Sequence, residues 1–272
     1  MLVNYHTHTR RCNHATGSEQ EYIEQAIAAG IRVLGFSDHT PCPFPDGHNS
    51  WFRMSVADCG EYFDAIRRLR EEYAGRIELH VGVELEYYPA IFPAQLELLR
   101  RNGCEYLLLG QHYLYNEEDD VYCGRPCADP ARLVQYVDQV IEAMATGHFT
   151  YLAHPDLLHF TGDSAVYRRE MRRLCRAALQ AKVPLEINLL GLREGRHYPN
   201  ERFWRVAAEE GNPVILGCDA HRPVHVADTK SEKTARVLAE RRTCPARETH
   251  VVKNRSKHDC GRQIGRASCR ER

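Results

Sequence analysis

Short, nearly continuous apolar runs rich in β-branched and aromatic residues recur along this chain, at 2–5, 33–36, 77–83, 106–109, 150–153, 184–189 and 214–216. Runs of that length without polar alternation are the mark of strands buried on both faces. Between them lie amphipathic stretches carrying helix start and stop signals. Ser18 and Glu21 form a capping box before a helix that stops at Gly30; Asp129 and Pro130 open one that ends at Gly147; Asn200 caps another that stops at Gly211. Further helices are expected over 55–73, 94–102 and 164–181. Strand and helix in alternation predict a parallel sheet covered by helices, without internal repeat.

The chain's 272 residues suffice for one large α/β domain, and 36 basic against 37 acidic residues give a net charge of -1. No global charge points to nucleic acid or an anionic membrane. No apolar run approaches the ~20 residues of a membrane span, and Met1 to Tyr5 lack a leader's basic and apolar regions. The expectation is a cytoplasmic protein. Its 11 cysteines are scattered, which favours reduced thiols, and Cys123 with Cys127 is read as a loop with two free thiols rather than half a zinc site. Residues 1–243 are taken as the folded domain. In the remainder, residues 253–272 hold seven basic and two acidic residues with almost no apolar periodicity, so 244–272 is expected to be disordered, and a non-native terminus is preferred over a nucleic-acid tail.

The strand ends carry the chemistry. His6-Thr7-His8 stands after the first strand, Asp38-His39 after the second, Glu84 ends the third, His112 the fourth, His154 the fifth, and Asp219-Ala220-His221 the seventh. A parallel barrel opens all its strand carboxyl ends on one face, so these residues would converge. Residues two apart on extended chain share a side, which would pair His6 with His8 and Asp219 with His221. Imidazole nitrogen with carboxylate oxygen suits zinc, iron or manganese. With His14 the donors number nine, too many for one tetrahedral ion, so two or three divalent ions sharing a carboxylate are expected. His48, His80, His148, His159, His197, His225, His250 and His258 are read as non-ligands.

These motifs, namely His6-Thr7-His8, Ser37-Asp38-His39, Gly82-Val83-Glu84, His112, Ala153-His154-Pro155 and Asp219-Ala220-His221, resemble those of the PHP (polymerase and histidinol phosphatase) superfamily of metal-dependent phosphoesterases. The resemblance implies a distorted (β/α)7 TIM-like barrel. It also implies a first metal on His6, His8, Glu84 and Asp219, a second on His112 and His154 with Glu84 bridging, and a third on His14, His39 and His221. Within the superfamily, 8–15, 35–41, Phe44-Pro45-Asp46-Gly47, Glu186-Ile187-Asn188 and Gly191-Leu192-Arg193 look like the monofunctional histidinol-phosphatases. The implied reaction is in-line attack on phosphorus by a metal-activated water, with Glu84 and Asp219 at the reacting centre and no phosphoenzyme. The substrate would be a small phosphorylated metabolite. Arg193, after the sixth strand, could clamp the phosphate bidentately, and Asp46 or Glu86 could take an ammonium. Alternatives are another phosphoesterase of the superfamily, acting on phosphotyrosine, nucleotides or nucleic-acid ends, and an amidohydrolase-like enzyme. A non-catalytic metal-binding module is disfavoured by the size of the ligand set.

Overall fold

The computed structural model describes residues 1–45, 47–48 and 50–240. Asp46, His250, His258 and the expectations for the carboxyl-terminal segment fall outside the described residues.

The strands are β1 (Val3–Asn4), β2 (Val33–His39), β3 (Glu78–Leu85), β4 (Leu107–Leu109), β5 (Tyr151–Leu152), β6 (Leu185–Asn188) and β7 (Val214–Gly217). They form one sheet in sequence order, every neighbouring pair parallel, as expected from the apolar runs. The β2–β3 ladder is the longest, running from Val33 opposite Glu78 to His39 opposite Glu84. The sheet curls until its first and last strands meet. That seam holds one isolated bridge, Thr7 with Ala220, where His8 N donates to Ala220 O at 3.0 Å and Ala220 N to His6 O at 3.3 Å. Lower down, the Asn4 side chain substitutes for backbone, its Oδ1 accepting from Cys218 N at 3.0 Å. The result is a nearly closed seven-stranded α/β barrel of TIM-like form.

Helices α1 (Glu19–Ala28), α2 (Cys59–Glu72), α3 (Phe92–Arg101), α4 (Pro130–Ala145), α5 (Ser164–Ala181), α6 (Leu189–Glu194), α7 (Glu201–Glu210) and α8 (Thr229–Glu240) accompany the sheet. The capping signals act as read: Ser18 and Glu21 bond reciprocally, Asp129 accepts from Ala131 N, and Asn200 accepts from Arg202 N. Two expectations shift. The helix foreseen from 55 begins at Cys59, because Ser55 Oγ accepts from Asp58 N at 3.2 Å and closes a turn first. The sixth strand stops at Asn188 because Asn188 Oδ1 accepts from Gly191 N at 3.0 Å and caps the short α6, which the sequence reading passed over along with α8.

The larger apolar cluster lies between sheet and helices, and a smaller one of Tyr5, Val33, Tyr106, Leu108, Tyr151, Ala153 and Ile215 is separate from it. Gly35 and Gly82 make room for Tyr106, since a Cβ at either would overlap that side chain. Tyr106 Oη sits 2.9 Å from Tyr5 O and 2.8 Å from Phe36 O, linking β4 to the first two strands.

Candidate metal centre

The donors foreseen at the strand ends come together at the carboxyl face of the barrel. Glu84 lies at their centre, and its two oxygens face different groups. Oε1 is 2.7 Å from His154 Nε2 and 3.7 Å from His112 Nε2; Oε2 is 3.1 Å from His39 Nδ1, 3.5 Å from His8 Nε2 and 3.6 Å from His6 Nε2. Asp219 Oδ1 approaches His8 Nε2 at 3.2 Å, His221 Nδ1 at 3.4 Å and His6 Nε2 at 3.6 Å. Donor atoms of His6, His8 and Asp219, of His6, Glu84 and His154, of His8, His39 and Glu84, and of His14, His39 and His221 each fall within 4.8 Å of one another. His6, His8, His39, Glu84, His154 and Asp219 are buried, His112 and His221 partly so, and His14 is exposed. The cluster thus has a closed floor and an open rim, where Trp51 stands 71% exposed with its ring 6.1 Å from that of His14.

Hydrogen bonds fix the orientation of four imidazoles. His6 Nδ1 meets Glu186 Oε1 at 2.7 Å, His112 Nδ1 meets Glu86 Oε1 at 3.1 Å, His14 Nδ1 meets Cys12 O at 2.7 Å and His221 Nδ1 meets Asp219 O at 3.2 Å. A carbonyl or carboxylate can only accept, so Nδ1 carries a proton and Nε2 is the nitrogen left to ligate, the orientation a ligating histidine requires. His6 Nε2, His8 Nε2, His221 Nε2 and Asp219 Oδ1 are buried without a hydrogen-bond partner. Such orphans are costly, and a divalent cation coordinated by them removes the cost. Nitrogen and oxygen donors in this mixture fit a transition-metal ion.

The charges agree with that fit. Burial would raise Glu84 and Asp219, yet His112, His39 and His6 hold the first, and His6, His8 and His221 the second, well below the usual carboxylate range. Burial would lower His6, but Glu186, Asp219 and Glu84 raise it well above its ordinary value. Burial, with the charge of His8 beside them, pushes His39 and His221 well below theirs. A cation in the cluster would take over the pairing that protons on His6 and His8 supply.

Two of the clustered donors have unusual backbone, His154 at φ 29° and Asp219 at φ 45°. The expected reason for pairing Asp219 with His221, an extended chain, therefore does not hold: Asp219 is left-handed, and the turn rather than strand alternation brings the pair together. Outliers of this kind persist where the surroundings over-determine them.

Two substrate-binding expectations are corrected. Arg193 lies in α6, and its guanidinium is directed to Cys218 O at 3.5 Å, Asp219 O at 3.2 Å and Asp228 at 3.5 Å. Both its terminal nitrogens are thereby turned to the end of β7 and Asp228, while its buried Nε has no hydrogen-bond partner. Glu86 is 1% exposed, with one oxygen on Arg53 and the other on His112, so neither is open to an ammonium. Burial would raise its pKa, but Arg53 and His112 bring it down to about 2.

Sequence reading gave no role to the residues behind these donors, although Asp38, Glu186 and Asn188 stand in motifs it singled out. Glu186 holds His6, accepts from His154 N at 3.0 Å and from Asn188 Nδ2 at 3.0 Å, and Asn188 reaches Asp219 Oδ2 at 3.0 Å. Asp38 accepts from Thr9 N at 3.2 Å and lies 3.4 Å from His8 Nδ1. Cys12 lies close to His8 and His221. The available signal was a charged residue inside an apolar strand, as Glu186 is in β6, the one strand without an expected ligand. Among the described residues, His48, His80, His148, His159, His197, His225, Cys123 and Cys127 join no group of donors close enough to share an ion. His80 instead bonds Glu78 and Glu105, and His159 stacks on His197 with ring centroids 4.1 Å apart.

Residues 4–189 match the family described as PHP domain, and a protein of Deinococcus radiodurans named "Probable histidinol-phosphatase" is 31% identical over 83% of this chain and 88% of its own length. The chain belongs to the PHP family. A Bacillus subtilis PHP relative named histidinol-phosphatase is 25% identical over 80% of this chain and 92% of its own. The PHP barrel also superposes on the histidinol phosphate phosphatase of Lactococcus lactis, crystallised with zinc, L-histidinol and phosphate, with TM-score 0.69, 18% identity, and 89% and 94% of the two chains covered. That likeness establishes the shared fold.

Proposed function

We propose that this chain is a histidinol-phosphatase, a metal-dependent phosphoric monoester hydrolase that converts L-histidinol phosphate to L-histidinol and phosphate in histidine biosynthesis. The observation that carries the reading is the convergence of nine nitrogen- and oxygen-donor residues, Glu84 among them, several with buried, unpartnered atoms. Relatives named for this activity over more than four fifths of their length support the substrate. His6, His8, Glu84 and Asp219 would hold a first ion, Glu84, His112 and His154 a second, and His14, His39 and His221 a third, each zinc, iron or manganese. When bound, such ions lower the pKa of water and offset charge on phosphoryl oxygens.

The chain's own residues do the positioning. The two oxygens of Glu84 face separate donor groups, so one carboxylate ties both halves of the centre together. Glu186, Glu86 and the Cys12 and Asp219 carbonyls hold the imidazoles in one orientation before any ligand arrives. The exposed His14 marks the open side by which a phosphate enters. A cytoplasmic location belongs to the same reading; no described helix is long and apolar enough to cross a membrane.

The test is phosphate release from histidinol phosphate against phosphotyrosine, nucleotides and other monophosphates, before and after chelation. Histidinol phosphate should be the best substrate, chelation should abolish turnover and added metal should restore it. Full activity after metal removal would end the metal reading, and preference for another ester would replace the substrate.

A further inference from the structure

Arg53 lies on the segment between β2 and α2, on none of the strands that carry ligands, yet its side chain is 2% exposed. Its Nε donates to Glu117 Oε2 at 3.0 Å, its Nη1 to Thr40 O at 3.0 Å, and its Nη2 both to Glu86 and to Glu117, the latter at 2.9 Å. The guanidinium lies over the Phe52 ring at 4.4 Å, and Phe52 meets the ring of His39 edge-on at 5.4 Å. Glu86 and Thr40 lead on toward the metal centre, whereas Glu117 leads to His48, whose Nε2 lies 3.2 Å from its Oε1. Glu86 Oε1, opposite the oxygen that Arg53 holds, accepts from His112 N at 3.2 Å and Nδ1 at 3.1 Å. Thr40 bonds the carbonyl of Glu84 through both its N and its Oγ1, each at 2.9 Å.

We infer that Arg53 is a positioning residue of the metal centre. By gripping one oxygen of Glu86 it aims the other at His112, and so sets His112 Nε2 for the site shared with Glu84 and His154. A guanidinium can hold Glu86, Glu117 and Thr40 at once because its five donors lie in one rigid plane; an ammonium cannot. The inference rests on the proposed metal centre, and partners of this kind carry about 10–100-fold in metal affinity.

The test is equilibrium titration of the metal-free protein with Mn(II), counting ions per chain and recording the electron paramagnetic resonance signal of the coupled pair, for wild type, Arg53→Lys and Glu117→Gln. In Arg53→Lys one site should weaken by about 10–100-fold and the coupled-pair signal should be lost at Mn(II) levels that saturate wild type, while the other ions stay bound. Glu117→Gln disturbs the same ionic cluster without touching Glu86 or His112, and should lower Tm while leaving metal affinity unchanged. Should Arg53→Lys not fold, Glu86→Asp, which draws the carboxylate back from His112 by one methylene, carries the same expectation. Wild-type affinity in Arg53→Lys, or losses in both variants that merely track Tm, would overturn the role of Arg53. Absence of Mn(II) binding by the wild type would overturn the metal centre itself, a separate outcome.

Discussion

Within the cluster, Glu84 alone approaches five imidazoles, and His14 is the outermost donor. Losing the shared carboxylate charge disturbs every ion that depends on it, whereas losing His14 opens one site at the rim. Glu84→Gln should therefore reduce kcat/KM by at least about tenfold more than His14→Ala, a gap of ~1.4 kcal/mol, with metal content measured alongside. The reverse order would remove Glu84 from the bridge. Eight of the nine donors were legible in the sequence because they recur after apolar runs, a pattern that needs no knowledge of contacts, whereas His14 lies in the loop before α1 and follows no such run. The orienting role of Glu186, Glu86 and Asp38 was not legible, because each faces an imidazole carried by another strand. Arg193 was misread for the same reason: its place after β6 gave the correct face, but its partners belong to β7 and beyond.

Among the elements, the strands owe their close approach to absent side chains. A Cβ on Gly110 would overlap the carboxylate of Glu84, and one on Gly217 would overlap that of Glu186. Gly217 is not in the left-handed region, so its requirement is space and not backbone freedom. Gly217→Ala should displace Glu186 from His6 and His154, costing ~1–3 kcal/mol of stability and weakening metal binding as well. Thermal unfolding and metal titration of the variant check both; unchanged values would mean that Glu186 has room to move. Strand number and order were readable, since the apolar runs mark every strand even where only two residues ladder, as in β1 and β5. Helix α6 was not, because its six residues start inside the apolar text of β6 and only the Asn188 cap separates them.

At the level of the whole molecule, the ring of strands is uneven. Seven residue pairs join β2 to β3, while β1 and β7 share one isolated bridge and the Asn4 amide among the described residues. His6 and His8 stand on one side of that join and Asp219 and His221 on the other. An ion gripped from both sides is then a buckle across a join that has no ladder of its own, doing for the first and last strands what seven paired residues do for β2 and β3. Stripping the protein of metal should speed amide deuterium uptake at residues 4–8 and 217–221 well before it does so in β2 and β3, and uniform uptake would mean that the hoop closes without its buckle.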